Sequence, residues 1–130
     1  MIKAKRYILV GRKAVEEPDL SRWEGWFSHA NRIVKSIDIP VTEENRFLFK
    51  ITVPHCVINV STVFLGIDHA LYGARPLLYE TKITGGQYDQ RRQWTHTWDE
   101  AETEHQFMVE ALLQGGFTCL LRKFNLAGGA

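Results

Sequence analysis

The sequence predicts an α+β domain: a mainly antiparallel sheet of about five to six strands with two helices packed on one face. Three observations predict it. Short runs rich in β-branched and aromatic residues recur along the chain and end at Gly, Pro or Asn-containing turns, as strands do. Two segments instead space their apolar residues at helical period behind a capping residue. In mid-chain the strand-like runs follow one another with turns between them, the order β-α-β-β-β-β-β-α, with room for a last strand.

The first run is Lys5 to Val10 (KRYILV), ended by Gly11. A polar segment, RKAVEEPD, then leads to Asp19, which is placed to cap a helix over DLSRWEGWFSHAN. Leu20, Trp23, Trp26 and Phe27 would form its apolar face, and Gly25 in its interior costs about 1 kcal/mol relative to Ala, so the helix must lean on tertiary packing. Arg32 to Ile39 alternates as a strand and stops at Pro40. Arg46 to Val53 (RFLFKITV) reads as the next strand, with Phe47, Phe49, Ile51 and Val53 on one side. Cys56 to Leu65 is almost wholly apolar or β-branched, the composition of a central strand covered on both faces.

Pro76 to Thr84 and Arg91 to Thr97 flank GGQYDQ, a hairpin signal. Thr97 and Glu100 have the spacing of a capping box, and the helix behind them presents Trp98, Ala101, His105, Met108, Val109 and Leu112 on one face. Gly115-Gly116 reads as its C-cap, FTCLL as a further apolar run, and about residues 125–130 as a loose tail. The expected core includes Trp23, Phe49, Val63, Phe64, Leu78, Trp98 and Met108.

At 130 residues the chain is a single domain, 1–130, and a domain this size buries roughly two-thirds of its unfolded surface. A formal charge of +1 provides no overall field for nucleic acid or anionic membrane. Cys56 and Cys119 are too few for a secreted disulfide framework, and no apolar run reaches the roughly 20 residues that span a bilayer. These features point to a soluble, cytoplasmic protein.

The sharpest local feature is Asp68-His69 at the mouth of a strand, with Glu80 inside the next. His69 can be read as a general base or ligand with Glu80, His96 or His105 as companions; Asp68 can equally cap a turn while His69 bonds a backbone carbonyl. No HxH, HExxH or CxxC spacing is present, so no metal and no cofactor are expected. No nucleophile stands out: Ser61 and Thr62 lack a GxSxG elbow, and His55 and Cys56, adjacent on a strand, would point to opposite faces. No catalytic residue is assigned, and whether the chain is an enzyme stays open. Lys82, Arg91 and Arg92 gather on the predicted hairpin beside Tyr88 and Trp94, a basic-aromatic mix able to hold a phosphate or base, or simply a hairpin kept soluble by charge. The candidate binding residues are therefore Asp68, His69, Glu80, Lys82, Arg91, Arg92 and Trp94.

Two segments, STVFLGIDHALYGARPLLYETKITGGQYDQ and WTHTWDEAETEHQFMVE, carry a resemblance. Together they are similar to a group of short phage and prophage proteins that share STVFLGxDH, a Gly-rich loop, PLL[FY]ET, GG and TWxEAxxxHxxMV. The resemblance covers Ser61 to Val109; the N-terminal half matches faintly, through Gly11, Trp23 and Trp26, and the loop HALYGAR has one Gly where the pattern has more. The residues that carry it include Asp68, His69, Glu80, Thr81, Gly85, Gly86 and His105. It implies a viral context and a small accessory protein in the host cytoplasm, with no established activity attached. The leading expectation is thus a non-enzymatic phage protein that binds a host protein or defence component. The alternatives are a nucleotide or small-molecule binding protein or minor enzyme using the Asp68/His69/Glu80 region, and a structural phage component that self-associates.

Overall fold

A computed structural model describes residues 4–42, 57–70 and 75–114. Among these the elements run β1 (Tyr7–Val10), β2 (Lys13–Glu16), α1 (Leu20–His29), β3 (Ile33–Pro40), β4 (Val57–Phe64), β5 (Tyr79–Thr84), β6 (Arg92–Thr95) and α2 (Trp98–Gln114). The fold is α+β and every strand pairing is antiparallel. The strands divide into a two-stranded sheet, β1-β2, and a four-stranded sheet in the order β3-β4-β5-β6. The expected strand Arg46–Val53, the Gly115-Gly116 cap, the run 117–121 and the tail 125–130 lie outside the described residues, as do Phe49, Cys56 and Cys119.

The segment read as a polar connection contains β2. Val10 pairs with Lys13 across a two-residue turn whose first position is Gly11 at φ +65°, the placement that a type II′ hairpin turn favours. β1 also continues onto the exit of β4: Tyr7 N–H donates to Gly66 O (2.8 Å) and Asp68 N–H to Lys5 O (2.9 Å). α1 locks this junction, because the buried Trp23 donates its Nε1–H to both Tyr7 O (3.1 Å) and Gly66 O (3.0 Å). Asp19 caps α1 by accepting from Arg22 N–H at 3.0 Å. Leu20, expected on the apolar face, is exposed instead; Trp26 turns inward and meets the Phe64 ring edge-on at 5.8 Å.

β4 lies between β3 and β5 but is not covered on both faces. Ile58, Val60, Thr62 and Phe64 are buried, while Asn59, Ser61 and Val63 are only half-buried. Val63 therefore leaves the predicted core, and the period-2 alternation explains why: it shares a face with Ser61, opposite to Phe64. On the buried face α2 lays down Ala101, His105, Met108, Val109 and Leu112, as its spacing predicts. Trp98, at its start, is half-buried rather than enclosed. Thr97 caps α2 by accepting from Glu100 N–H (3.1 Å), while Glu100 reaches back to His96 N–H (3.1 Å), one residue short of the usual capping-box partner.

Two apolar clusters result. One gathers Ile39, Ile58, Val60, Ile83, Met108 and Leu112, and takes in Tyr88, which is therefore core and not part of the hairpin surface. The other centres on Phe64, Leu78, Tyr79 and Ala101, with Tyr7, Leu9, Trp26 and Trp98 packed around it.

Candidate functional site

Because Thr62 and Thr81 face α2, strand alternation sends Glu80 and Lys82 of β5 to the opposite side of the sheet. The register then sets Glu80 beside Trp94, and Lys82 beside Arg92 and Ser61. Lys82 and Arg92 directly opposite one another would repel. Glu80, diagonal to Arg92, offsets this: its carboxylate lies 3.9 Å from the Arg92 guanidinium, with the Glu80 side chain 16% and the Arg92 side chain 43% exposed. Trp94, at the end of this row, is 40% exposed.

On the β3 side the same face is polar and hydrogen-bonded, with Asp38 its one acid among the described residues of the row. Ser36 and Ser61 hydroxyls lie 2.9 Å apart, and Asn59 Nδ2 donates to Ser36 Oγ (3.1 Å) and Asp38 Oδ1 (2.8 Å). The Ser61 hydroxyl donates in turn to Asn59 Oδ1. With these bonds made, the row is held in place as a flat polar surface continuous with the charged one.

Not all the residues singled out from sequence meet there. Asp68 works within its own loop: its Oδ1 accepts from Ala70 N–H (2.8 Å) and Leu77 N–H (3.0 Å). His69 is exposed, and its N–H donates to Leu77 O at 3.0 Å. Leu77 precedes Glu80 by about 10 Å of strand, so His69 and Glu80 are not neighbours. Arg91 bonds Ile83 through its backbone carbonyl (2.9 Å), one register step beyond Lys82-Arg92, which assigns it to the α2 side of the hairpin. Its charge there opposes the dominant effect of burial, which raises the Tyr88 hydroxyl above its usual range. The structure thus gathers Glu80, Lys82, Arg92 and Trp94, and separates them from Asp68, His69 and Arg91.

His105 belongs to the interior. Its Nδ1 lies 3.1 Å from Thr62 Oγ1, which lies 2.7 Å from Thr81 Oγ1, and all three side chains are buried between sheet and α2. Burial, aided by the Lys35 charge, holds the His105 imidazole below its ordinary pKa, so at neutral pH it is uncharged. Among the described residues no three His, Cys, Asp or Glu side chains are grouped closely enough to hold a metal ion, and no helix is long and apolar enough to cross a membrane.

The structure also holds a concavity that the sequence does not announce. A cleft of about 380 Å³ opens between the β1-β2 turn, the approach to β5 and the first turn of α2. The rings of Tyr7, Tyr79 and Trp98 line it together with the cations Arg12, Lys13 and Arg75. It went unread because it depends on β2 folding back, and Lys13–Glu16 carries little hydrophobic pattern; the nearest signal was the Gly11-Arg12 pair between two short apolar runs. No protein-family model, curated protein or solved structure matches the chain.

Proposed function

We propose that this chain is a small phage or prophage accessory protein that acts by binding a host protein or defence component through the open face of the β3–β6 sheet. The observation that supports this reading is the convergence of Glu80, Lys82, Arg92 and Trp94 on one face, continuous with the Ser36-Ser61-Asn59-Asp38 row. Trp and Arg are the side chains that most often anchor protein interfaces, and both stand partly exposed here. The alternation of a carboxylate with cations suits a patch of complementary mixed charge on a protein, and not the uniform charge of a phosphate backbone. The viral context comes from the resemblance of residues 61–109, and with it the host cytoplasm as the place of action.

The test compares the parent with an Arg92→Glu, Trp94→Ala variant, each immobilised and exposed to host-cell lysate with quantitative mass spectrometry. Both changes lie on partly exposed side chains of the edge strand β6, so the fold is expected to survive. The reading expects host proteins retained by the parent and reduced at least about tenfold with the variant. Equal retention by both would sink it; retention of nothing but a second copy of the chain would replace the host partner by self-association.

A further inference from the structure

The cleft at the start of α2 lies on the α2 side of the sheet, behind the face proposed for a protein partner. Its lining combines two chemistries. Tyr7 and Trp98 supply aromatic surface, and the buried Tyr79 backs them, edge-on to Trp98 at 6.4 Å. Arg12, Lys13 and Arg75 supply positive charge, and among the described residues no carboxylate lines the space. Two of the cations are held from outside it: Arg75 bonds Glu100 at 2.8 Å, and Arg12 lies 3.8 Å from Glu102 while covering the Trp98 ring at 5.4 Å. Lys13 has no carboxylate partner among the described residues.

The wall also contains a polar side chain with unused capacity, His96. His96 Nδ1 lies 2.8 Å from Pro76 O, an atom that only accepts, so Nδ1 carries the hydrogen and Nε2 is left for another contact. A cavity of several hundred Å³ with aromatic walls and a few polar groups has the make-up of a small-molecule site.

We propose that this cleft binds a small ligand that joins a flat aromatic ring to one anionic group, phosphate or carboxylate. The ring lies against Tyr7 and Trp98, and the anion is met by Lys13 with Arg12. The inference is independent of the protein-binding reading, since its residues lie on the other side of the sheet.

Calorimetric titration of the full chain tests it with four probes: adenosine monophosphate, indole-3-acetate, and their uncharged counterparts adenosine and indole. At least one anion is expected to bind with a Kd below about 1 mM, and its uncharged counterpart at least about tenfold more weakly. Raised salt should weaken the anion, because these cations are partly solvent-screened. Lys13→Gln, a change at an exposed position, and the double Arg12→Gln, Lys13→Gln variant should each weaken it further with the melting temperature held. Arg92→Glu, on the opposite face, should leave the titration unchanged, so loss of partner binding and loss of ligand binding are separable. Failure of both anions to bind at millimolar concentration would overturn the proposal, as would equal binding of charged and uncharged probes or full affinity in the double variant.

Discussion

Thr62→Val is the most informative single perturbation of the fold. The two side chains have nearly the same shape, so the change deletes a hydroxyl without opening a cavity. That hydroxyl is fully buried and stands between Thr81 Oγ1 at 2.7 Å and His105 Nδ1 at 3.1 Å. Its removal takes a partner from both of them in the space between β4, β5 and α2. A buried polar group left unsatisfied costs about 1–3 kcal/mol, so the pair should cost about 2–6 kcal/mol. For a chain of this length each kcal/mol lowers the melting temperature by about 3–5 °C, which gives a drop of about 6–30 °C by circular dichroism. The triple variant Thr62→Val, Thr81→Val, His105→Leu removes every member of the chain and should recover most of that loss, since matched apolar replacement of buried polar partners is nearly neutral. A melting temperature for Thr62→Val within about 2 °C of the parent would refute the reasoning.

The same histidine sets a pH dependence. Its folded pKa is depressed below 6.5 by burial and then by Lys35, so the unfolded chain takes up a proton that the native state resists. The contribution of His105 to stability is therefore complete above the unfolded pKa and is lost as pH falls toward the folded one; urea melts from pH 7.5 to 5 should show this slope in the parent and a shallower one in the triple variant. Gly85→Ala places a Cβ 2.9 Å from the Val57 carbonyl at φ +93° and should cost about 1–3 kcal/mol, whereas Gly11→Ala, in open space at φ +65°, pays only for left-handed backbone, about 1 kcal/mol. If the two glycine variants melted together, the close approach of the β5-β6 turn to β4 would be wrong. Asp68→Asn keeps the acceptor that serves Ala70 and Leu77 and should change stability by less than about 1 kcal/mol, while Asp68→Ala loses both bonds and should cost about 1–2 kcal/mol. A large loss in Asp68→Asn would show that the charge matters and the cap does not suffice.

How much of this could be read in the sequence depends on what each signal measures. α2 was legible because a capping pair and an apolar stripe agree, Thr97 with Glu100 and Ala101 through Leu112. The polar face was legible in part: Glu80, Lys82, Arg92 and Trp94 were named, but alternation across β5 and β6 decides which of their neighbours join them, and Arg91 falls one register step onto the other side. β4 departs from its expectation because apolar composition does not by itself mean burial on both faces: Asn59 and Ser61 mark the face that carries hydrogen bonds to β3. The cleft was invisible because it joins Arg12, Arg75 and Trp98 from three distant segments, and its geometry rests on a hairpin whose second strand is short and polar.

The central claim is that a partner is held on the sheet face that carries Trp94. Site-specific photo-crosslinking tests it most directly, with p-benzoylphenylalanine replacing Trp94 in one protein and Gln106, on the exposed side of α2, in another. Irradiated in host cells, the Trp94 replacement should yield a discrete higher-mass adduct that mass spectrometry identifies as one host protein, and the Gln106 replacement should not. An adduct from position 106 alone would contradict the account and move the interface to the acidic face of α2.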